Sequence, residues 1–581
     1  MTEKPGLGPP RGIVAGVLAL LFVVSSGCGQ LAPGREGESS SDGIRERPTA
    51  ATILTIAIQG EPESFLTSGP GSGSGGENNV PPLVQNTLVV EDDKGVWQPF
   101  LAAEQLSVER GTWRLHPDGT MDTVWKLRPD VLWHDGTPFT SADMLLTFDI
   151  YTDPSASNPG TVRPFMRSAT APDPHTFIIH WSTIRFDADR SGLVISGPAP
   201  RHLVGEAFSR GDRVAFEALP QFTTEFVGLG PYRVIDWERG SHMELARFDR
   251  YYQGRPALDG IVLRFMTDAN AMVSSILAGA VDVVLPVGVD LDAAVEVQRR
   301  WTGTDNRVQF DVSSRLVYLE LQNRADIAIP RSGLVSTAVR QGFLQAIDRS
   351  SLAEITTYGV APVAESWILP TDALYADVET WIPRFPYDPA RAEQLLSQAG
   401  WVRDVTGSLV NRENGEAFRT ELWGSPGEAA SPEKSLSVIA QNWRDLGAQA
   451  DLNIVASARL RDREYRASHP GPLLTAGASQ RFSLNSLHSN QIPTAANRWG
   501  GFNRGGYNNP RVDSILDLLN MTITPAERTP LHRQLLQEQM GDVAIMPLYW
   551  EVVPTLLAKG VRGPVFYRNT ASWNVMHWRK A

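Results

Sequence analysis

Apolar and polar residues alternate along Thr52–Gln59 (TILTIAIQ), the two-residue period of a half-buried strand. Ser68–Asn79 is glycine- and serine-rich and predicts a flexible loop. Leu88–Pro99 predicts strand, turn, strand, with Asp93-Lys94-Gly95 at the turn. Thr123–Leu132 predicts a further strand, and His134-Asp135-Gly136 a turn. Thr140 followed three residues later by Asp143 resembles a capping box, opening a helix with Leu145 and Phe148 on one face. Ala269–Ala278 predicts a short helix facing inward through Val273, Ile276 and Leu277, and Ala280–Leu285 a strand. Beyond residue 330 the period shifts toward 3.6. Val335, Val339, Phe343 and Ile347 form one apolar stripe. Asp388-Pro389 opens a helix that Gly400 closes. Leu436, Ile439, Trp443 and Leu446 mark another helix, Val512, Ile515, Leu516 and Leu519 the next, and Leu531–Met540 one more. Strands alternate with helices, so the expected class is α/β.

The N-terminus follows other rules. Lys4 and Arg11 precede an apolar run, Ile13–Val24, which is shorter than the ~20 residues a membrane span needs. It fits the apolar region of an export signal and ends Ser25-Ser26-Gly27-Cys28. Cys28 is the single cysteine of the chain. The small-small-Cys ending resembles a lipobox, with Ser25 where Leu is usual, and points to lipidation of Cys28 after cleavage. The bland reading is an ordinary secretory signal with an incidental cysteine. Residues 29–50 are rich in Gly, Ser, Pro, Glu and Arg and predict a flexible tether.

Composition narrows the function classes. The residues after the tether are too many for one hydrophobic core and imply at least two domains. Net charge is −12, and about −13 once residues 1–27, with Lys4, Arg11 and Glu3, are removed. That argues against a nucleic-acid partner, whose footprint is basic. With Cys28 taken by lipid no disulfide is available, and no repeat is evident.

Several segments, in order, resemble the family 5 extracytoplasmic solute-binding proteins of ABC importers, which include dipeptide-, oligopeptide- and nickel-binding members. The densest match is Trp125–Phe148 (WKLRPDVLWHDGTPFTSADMLLTF). Gly228–Tyr232 with Arg247–Asp259, then Leu277–Asp282, Val339–Arg349, Tyr387–Trp401 and Trp443–Gly447 continue it. The resemblance implies two α/β lobes joined by two crossings, with ligand bound in the cleft between them. It places lobe I at residues 51–285 and 547–581, with an extra subdomain near 82–200. Lobe II falls at 286–546, with hinges near Leu285-Pro286 and Met546-Pro547. The implied partners are a small solute and an ABC permease with its ATPase subunits, the protein being a lipid-anchored, extracytoplasmic monomer. No cofactor or metal is expected. A solute sensor or a secreted enzyme on the same fold is the alternative.

Candidate chemistry is sparse. His134 and Asp135 are neighbours on a turn, a poor geometry for a catalytic pair. There is no His-Glu-x-x-His, no Gly-x-Ser-x-Gly, and Gly71–Gly76 lacks the Lys-Ser/Thr of a phosphate loop. In peptide-binding members an Asp of lobe II meets the peptide α-ammonium. By the resemblance Ser479 or Gln480 stands at that place and Arg481 follows. No acid lies between Glu464 and Asp513. This segment predicts a hydroxyl-rich or anionic solute in preference to a zwitterionic peptide. Trp423 and Trp499 are the aromatic residues expected to stack on it, with Trp367 a weaker candidate.

Overall fold

The structure, a computed structural model, describes residues 51–66, 76–154, 163–191, 193–194, 197–479, 485–567 and 570–581. Cys28 and the tether lie outside the described residues, as do most of the predicted loop after Ser68, Gln480 and Arg481.

Fourteen strands build the two principal sheets. They are β1 (Ile53–Gln59), β2 (Trp113–Leu115), β3 (Met121–Lys126), β4 (Met166–Asp173), β5 (Thr176–Trp181), β6 (Tyr232–Glu238), β7 (His242–Arg247), β8 (Gly260–Met266), β9 (Val283–Val284), β10 (Arg307–Glu320), β11 (Arg419–Gly424), β12 (Gln449–Ile454), β13 (Leu473–Ala478) and β14 (Ile545–Leu557). Ten of them form one sheet in the order β12-β11-β13-β10-β14-β9-β1-β8-β7-β6, and β2-β3-β5-β4 form a separate four-stranded sheet.

Strands β10 and β14 run through the middle of the large sheet and link its two halves. Arg307–Val312 pair antiparallel with Leu557–Val552. The register then breaks, and Leu316–Glu320 pair with Trp550–Ile545 on one side and with β13 on the other. The break leaves Ser313 and Ser314 buried at the crossing. There the Arg315 guanidinium lies 2.9 Å from Glu551.

Each half has its own core. Leu54, Ile56, Ile58, Leu263, Val283 and Leu557 pack with the C-terminal residues Val561, Val575 and Trp578. Val289, Ala294, Val297 and Trp301 join Met272, Ile276 and Val284 on the same side of the crossing. Beyond it, Val317, Leu319, Val339, Phe343, Leu436, Trp443 and Met546 form a second core. The four-stranded sheet closes over a third, with Trp113, Trp125, Trp133, Phe177 and Trp181.

The sequence patterns yield most of these elements, with instructive shifts. The capping box forms: Asp143 Oδ2 accepts the Thr140 N–H at 2.8 Å, and the helix runs Ser141–Thr152. Leu145, however, is half-buried, while Met144 and Phe148 face the third core and Leu146 and Ile150 pack with Val204, Phe216 and Phe222. The helix is covered on two sides, which a single apolar stripe does not anticipate. Likewise Met272, not Leu277, is the fully buried partner of Ile276 in helix Ala269–Leu277. At its C-terminal end the predicted loop becomes a 3-10 turn, Gly76–Asn79. Asn79 is buried there because its side-chain carbonyl accepts the Ala571 N–H and its backbone carbonyl accepts the Ser572 hydroxyl.

Candidate functional site

A cavity of about 650 Å³ opens between chain segments that are far apart in sequence. One wall comes from residues 91–113 and 186–190, around the four-stranded sheet; the other comes from residues 367–377 and 523–532, with Ser479 at the end of β13. This volume is within the range of small-molecule sites. Trp113, Phe186, Trp367, Ile368, Leu374 and Ile523 give it apolar surface.

Two 3-10 and helical turns set its charges. Turn Phe186–Arg190 carries two acids and one base, and Arg185 just before it supplies the second base, so each charge finds a neighbour. Arg185 forks onto Asp187 (2.8 and 2.7 Å), and Arg190 forks onto Asp189 (2.8 and 3.0 Å). Helix Pro525–Gly541 starts with Pro525 at its first position, and brings Arg528 and His532 to the cavity one turn apart. The Arg528 guanidinium carbon sits 3.7 Å from the Phe186 ring centre, joining the two walls. Burial, and next the Arg190 charge, lower the Arg528 pKa to about 10. Burial, and next the Arg528 charge, lower that of His532 to about 3, so its imidazole is neutral.

A buried ionic network reaches β13, the strand that ends at Ser479. Arg504 pairs with Glu320 at 3.2 Å and Arg466 with Glu428 at 2.6 Å, while Thr475 of β13 donates to Glu428 at 2.7 Å. It ties β10 and β13 together and so fixes the strand end that presents Ser479.

The residues singled out from sequence divide. Ser479 lines the cavity, and Gln480 and Arg481 lie outside the described residues. Trp423 is not among the residues lining this cavity. It packs with Val455, Leu460, Tyr465 and Leu473 and donates through Nε1 to Glu421 at 2.7 Å. Trp499 is likewise absent from the lining; it sits half-buried in a loop with φ 57°, its N–H donating to Thr494. Trp367, the weaker candidate, is the tryptophan of this set that reaches the cavity.

No acid of this lining comes from the segment between Glu464 and Asp513, but other segments bring acids to it. Glu91, Glu109, Asp189, Asp372 and Asp377 all border the cavity, from segments that sequence neighbourhood cannot connect to Ser479. Glu61 is engaged elsewhere, accepting from Trp237 Nε1 at 2.7 Å and pairing with Arg239 at 3.0 Å. Arg190, Phe186, Arg528 and His532 were not anticipated, because no motif marks them. Their only trace in sequence is the dense charge of Arg185–Arg190.

His134 and Asp135 face apart. Gly228 N–H donates to His134 Nδ1 at 3.1 Å and Nε2 faces the Gly230 carbonyl at 3.0 Å, while Asp135 lies 2.6 Å from His202. Among the described residues no group of three His, Cys, Asp or Glu side chains is placed to hold a metal ion. No helix among them is long and apolar enough to cross a membrane.

Comparison with known proteins places this geometry. The profile of the bacterial extracellular solute-binding proteins, family 5 (middle region), matches residues 110–501. The chain is 21% identical to the oligopeptide-binding protein AppA of Bacillus subtilis, with 97% of each chain aligned. It is 24% identical to the glutathione-binding protein GsiB of Escherichia coli K12, over 77% of this chain and 80% of that one. The solved structure of the substrate-binding protein CtaP of Listeria monocytogenes superposes with a TM-score of 0.72 at 18% identity, covering 91% of this chain and 99% of the other.

Proposed function

The chain belongs to the family 5 extracellular solute-binding proteins of bacteria, components of ABC importers, and from that premise we propose that it captures a small organic solute in the cavity between its two walls. The observation that carries this is the cavity's position, with walls from the two sides of the β10–β14 crossing. A rotation about that crossing would open and close it. We place the hinge at the register break, Val312–Leu316 opposite Trp550–Val552, in place of Leu285-Pro286 and Met546-Pro547. The segment 289–301 packs with the first half, which supports this choice.

The solute is read as peptide-like. Relatives are named for oligopeptides and glutathione. A cavity bordered by both carboxylates and guanidinium groups suits a molecule bearing both charges. The protein turns nothing over; it hands the solute to a permease driven by ATPase subunits. It acts as a monomer held at the outer membrane face by lipid on Cys28.

Native mass spectrometry of protein from its own host tests capture, by a co-purified organic solute. Small-angle scattering tests closure, by a smaller radius with that solute than without. Ligand at about 100-fold excess over Kd should add about 2.7 kcal/mol of stability. A saturated protein that neither contracts nor gains stability, or one that chemically converts the solute, refutes the reading.

A further inference from the structure

We propose that Arg528 and His532 form an oxyanion subsite at one end of this cavity, so that the bound solute presents a carboxylate or phosphate there. The proposal rests on the cavity being the solute site and adds which chemical group that site requires.

Arg528 is the cavity cation without a carboxylate. Arg190 is forked onto Asp189, and Arg110, exposed at the rim, pairs with Glu104 at 2.9 Å. Among the described residues no carboxylate pairs with Arg528. Its Nη1 donates to the Leu519 and Thr522 carbonyls, and its face rests on Phe186. These contacts position the guanidinium without neutralising it. A desolvated cation lacking its counter-charge is unfavourable, and an oxyanion matches the guanidinium fork.

His532 is the independent second observation. It lines the same cavity, is only 6% exposed, and its buried Nδ1 has no hydrogen-bond partner. A buried imidazole nitrogen left unpaired costs free energy that a ligand can recover. Four residues apart on one helix, the two side chains face the same way.

The acids near Arg528, Asp187 and Asp189, are each forked by another arginine, Arg185 and Arg190. Asp372 accepts the Tyr567 hydroxyl at 3.2 Å, on the side of Gly95. Glu109 and Asp377 are exposed at the rim.

The test uses citrate and inorganic phosphate, each against sodium chloride at equal ionic strength, with thermal unfolding and tryptophan fluorescence as readouts. Trp113 and Trp367 border the cavity and report occupancy. Wild type should be stabilised by at least one of the two anions beyond the chloride effect. R528Q should lose about tenfold or more in affinity for it, R528K should keep part of it, and H532Q should weaken it. If R528Q fails to fold, because Arg528 also holds the Leu519 and Thr522 carbonyls, R528K and H532Q carry the test. Wild type indifferent to both anions, or variants that bind them as wild type does, overturns the subsite. A neutral co-purified solute bound equally by wild type and R528K overturns the subsite and leaves the solute-capture reading standing. Absence of any organic solute with the anion effect intact overturns that reading and leaves the subsite.

Discussion

His134 should make this protein acid-sensitive by a calculable amount. Its ring joins two distant sequence motifs, with Nδ1 accepting the Gly228 N–H and Nε2 donating to the Gly230 carbonyl. Both nitrogens are committed in the neutral form, so a second proton on Nδ1 breaks the Gly228 bond. Burial is the largest cause lowering the pKa from 6.5 to about 4, and the Arg233 charge adds to it. Between those values the unfolded chain holds a proton that the folded chain does not. Stability is therefore complete above about pH 6.5 and falls as pH drops toward 4, by about 1.4 kcal/mol per unit. At pH 5 the loss is about 2 kcal/mol, and it levels off at about 3 kcal/mol below pH 4. His134→Gln removes the titration while keeping an acceptor and a donor on the side chain. Urea unfolding of wild type and variant from pH 8 to 4.5 measures the difference. The variant should be modestly less stable at pH 7.5, and its stability should fall with a slope smaller by up to one proton. His532 contributes acid loss of the same sign to both proteins and cancels in the comparison. Identical slopes in the two proteins would refute the reasoning.

Two further outcomes follow from the same description. Gly230→Ala puts a methyl 2.3 Å from the Val84 carbonyl carbon and 2.5 Å from the Gln85 nitrogen, both backbone atoms that cannot step aside. It should cost about 3 kcal/mol, seen as a lower urea midpoint. Cys28→Ala should move the protein from the membrane to the soluble fraction on fractionation; unchanged attachment refutes lipidation at that residue.

The fold was legible where one rule governs one segment. Asp388 caps its helix by accepting the Arg391 N–H, Pro389 stands at the first position, and Gly400 ends it with φ 87°. Each choice is local, so sequence shows it. Inward faces were misread, as with Leu145, half-buried on a helix covered from two sides, and Leu277, exposed at the end of its helix, because periodicity finds one face and not what covers the others. The proposed hinge, a register break between two paired strands, carries no local sequence signal. Pro286 and Pro547 look like breaks, yet Pro547 lies inside β14 opposite Tyr318, where it need donate no hydrogen bond.

The candidate site was barely legible, and the reason separates family from ligand. The residues that identify the family are spent on structure: His134 holds Gly228 and Gly230, and the Gly230 N–H holds the Val84 carbonyl. These contacts build the frame at the base of the four-stranded sheet whatever the solute is, so they need particular residues at particular spacings. The cavity lining has no such constraint. Its segments near residues 91–113, 186–190, 367–377 and 523–532 meet only after the β10–β14 crossing folds them together. An acid supplied by any of them serves as well as one next to Ser479. The absence of an acid between Glu464 and Asp513 therefore describes one segment and not the whole lining. Nor does a tryptophan's local sequence say whether it borders a cavity: Trp423 packs on Tyr465 at 5.1 Å, whereas Trp367, buried in its own core cluster, also borders the cavity. Specificity in such a fold is held by side chains with no motif, and must be read from which charges remain unanswered once the chain is folded.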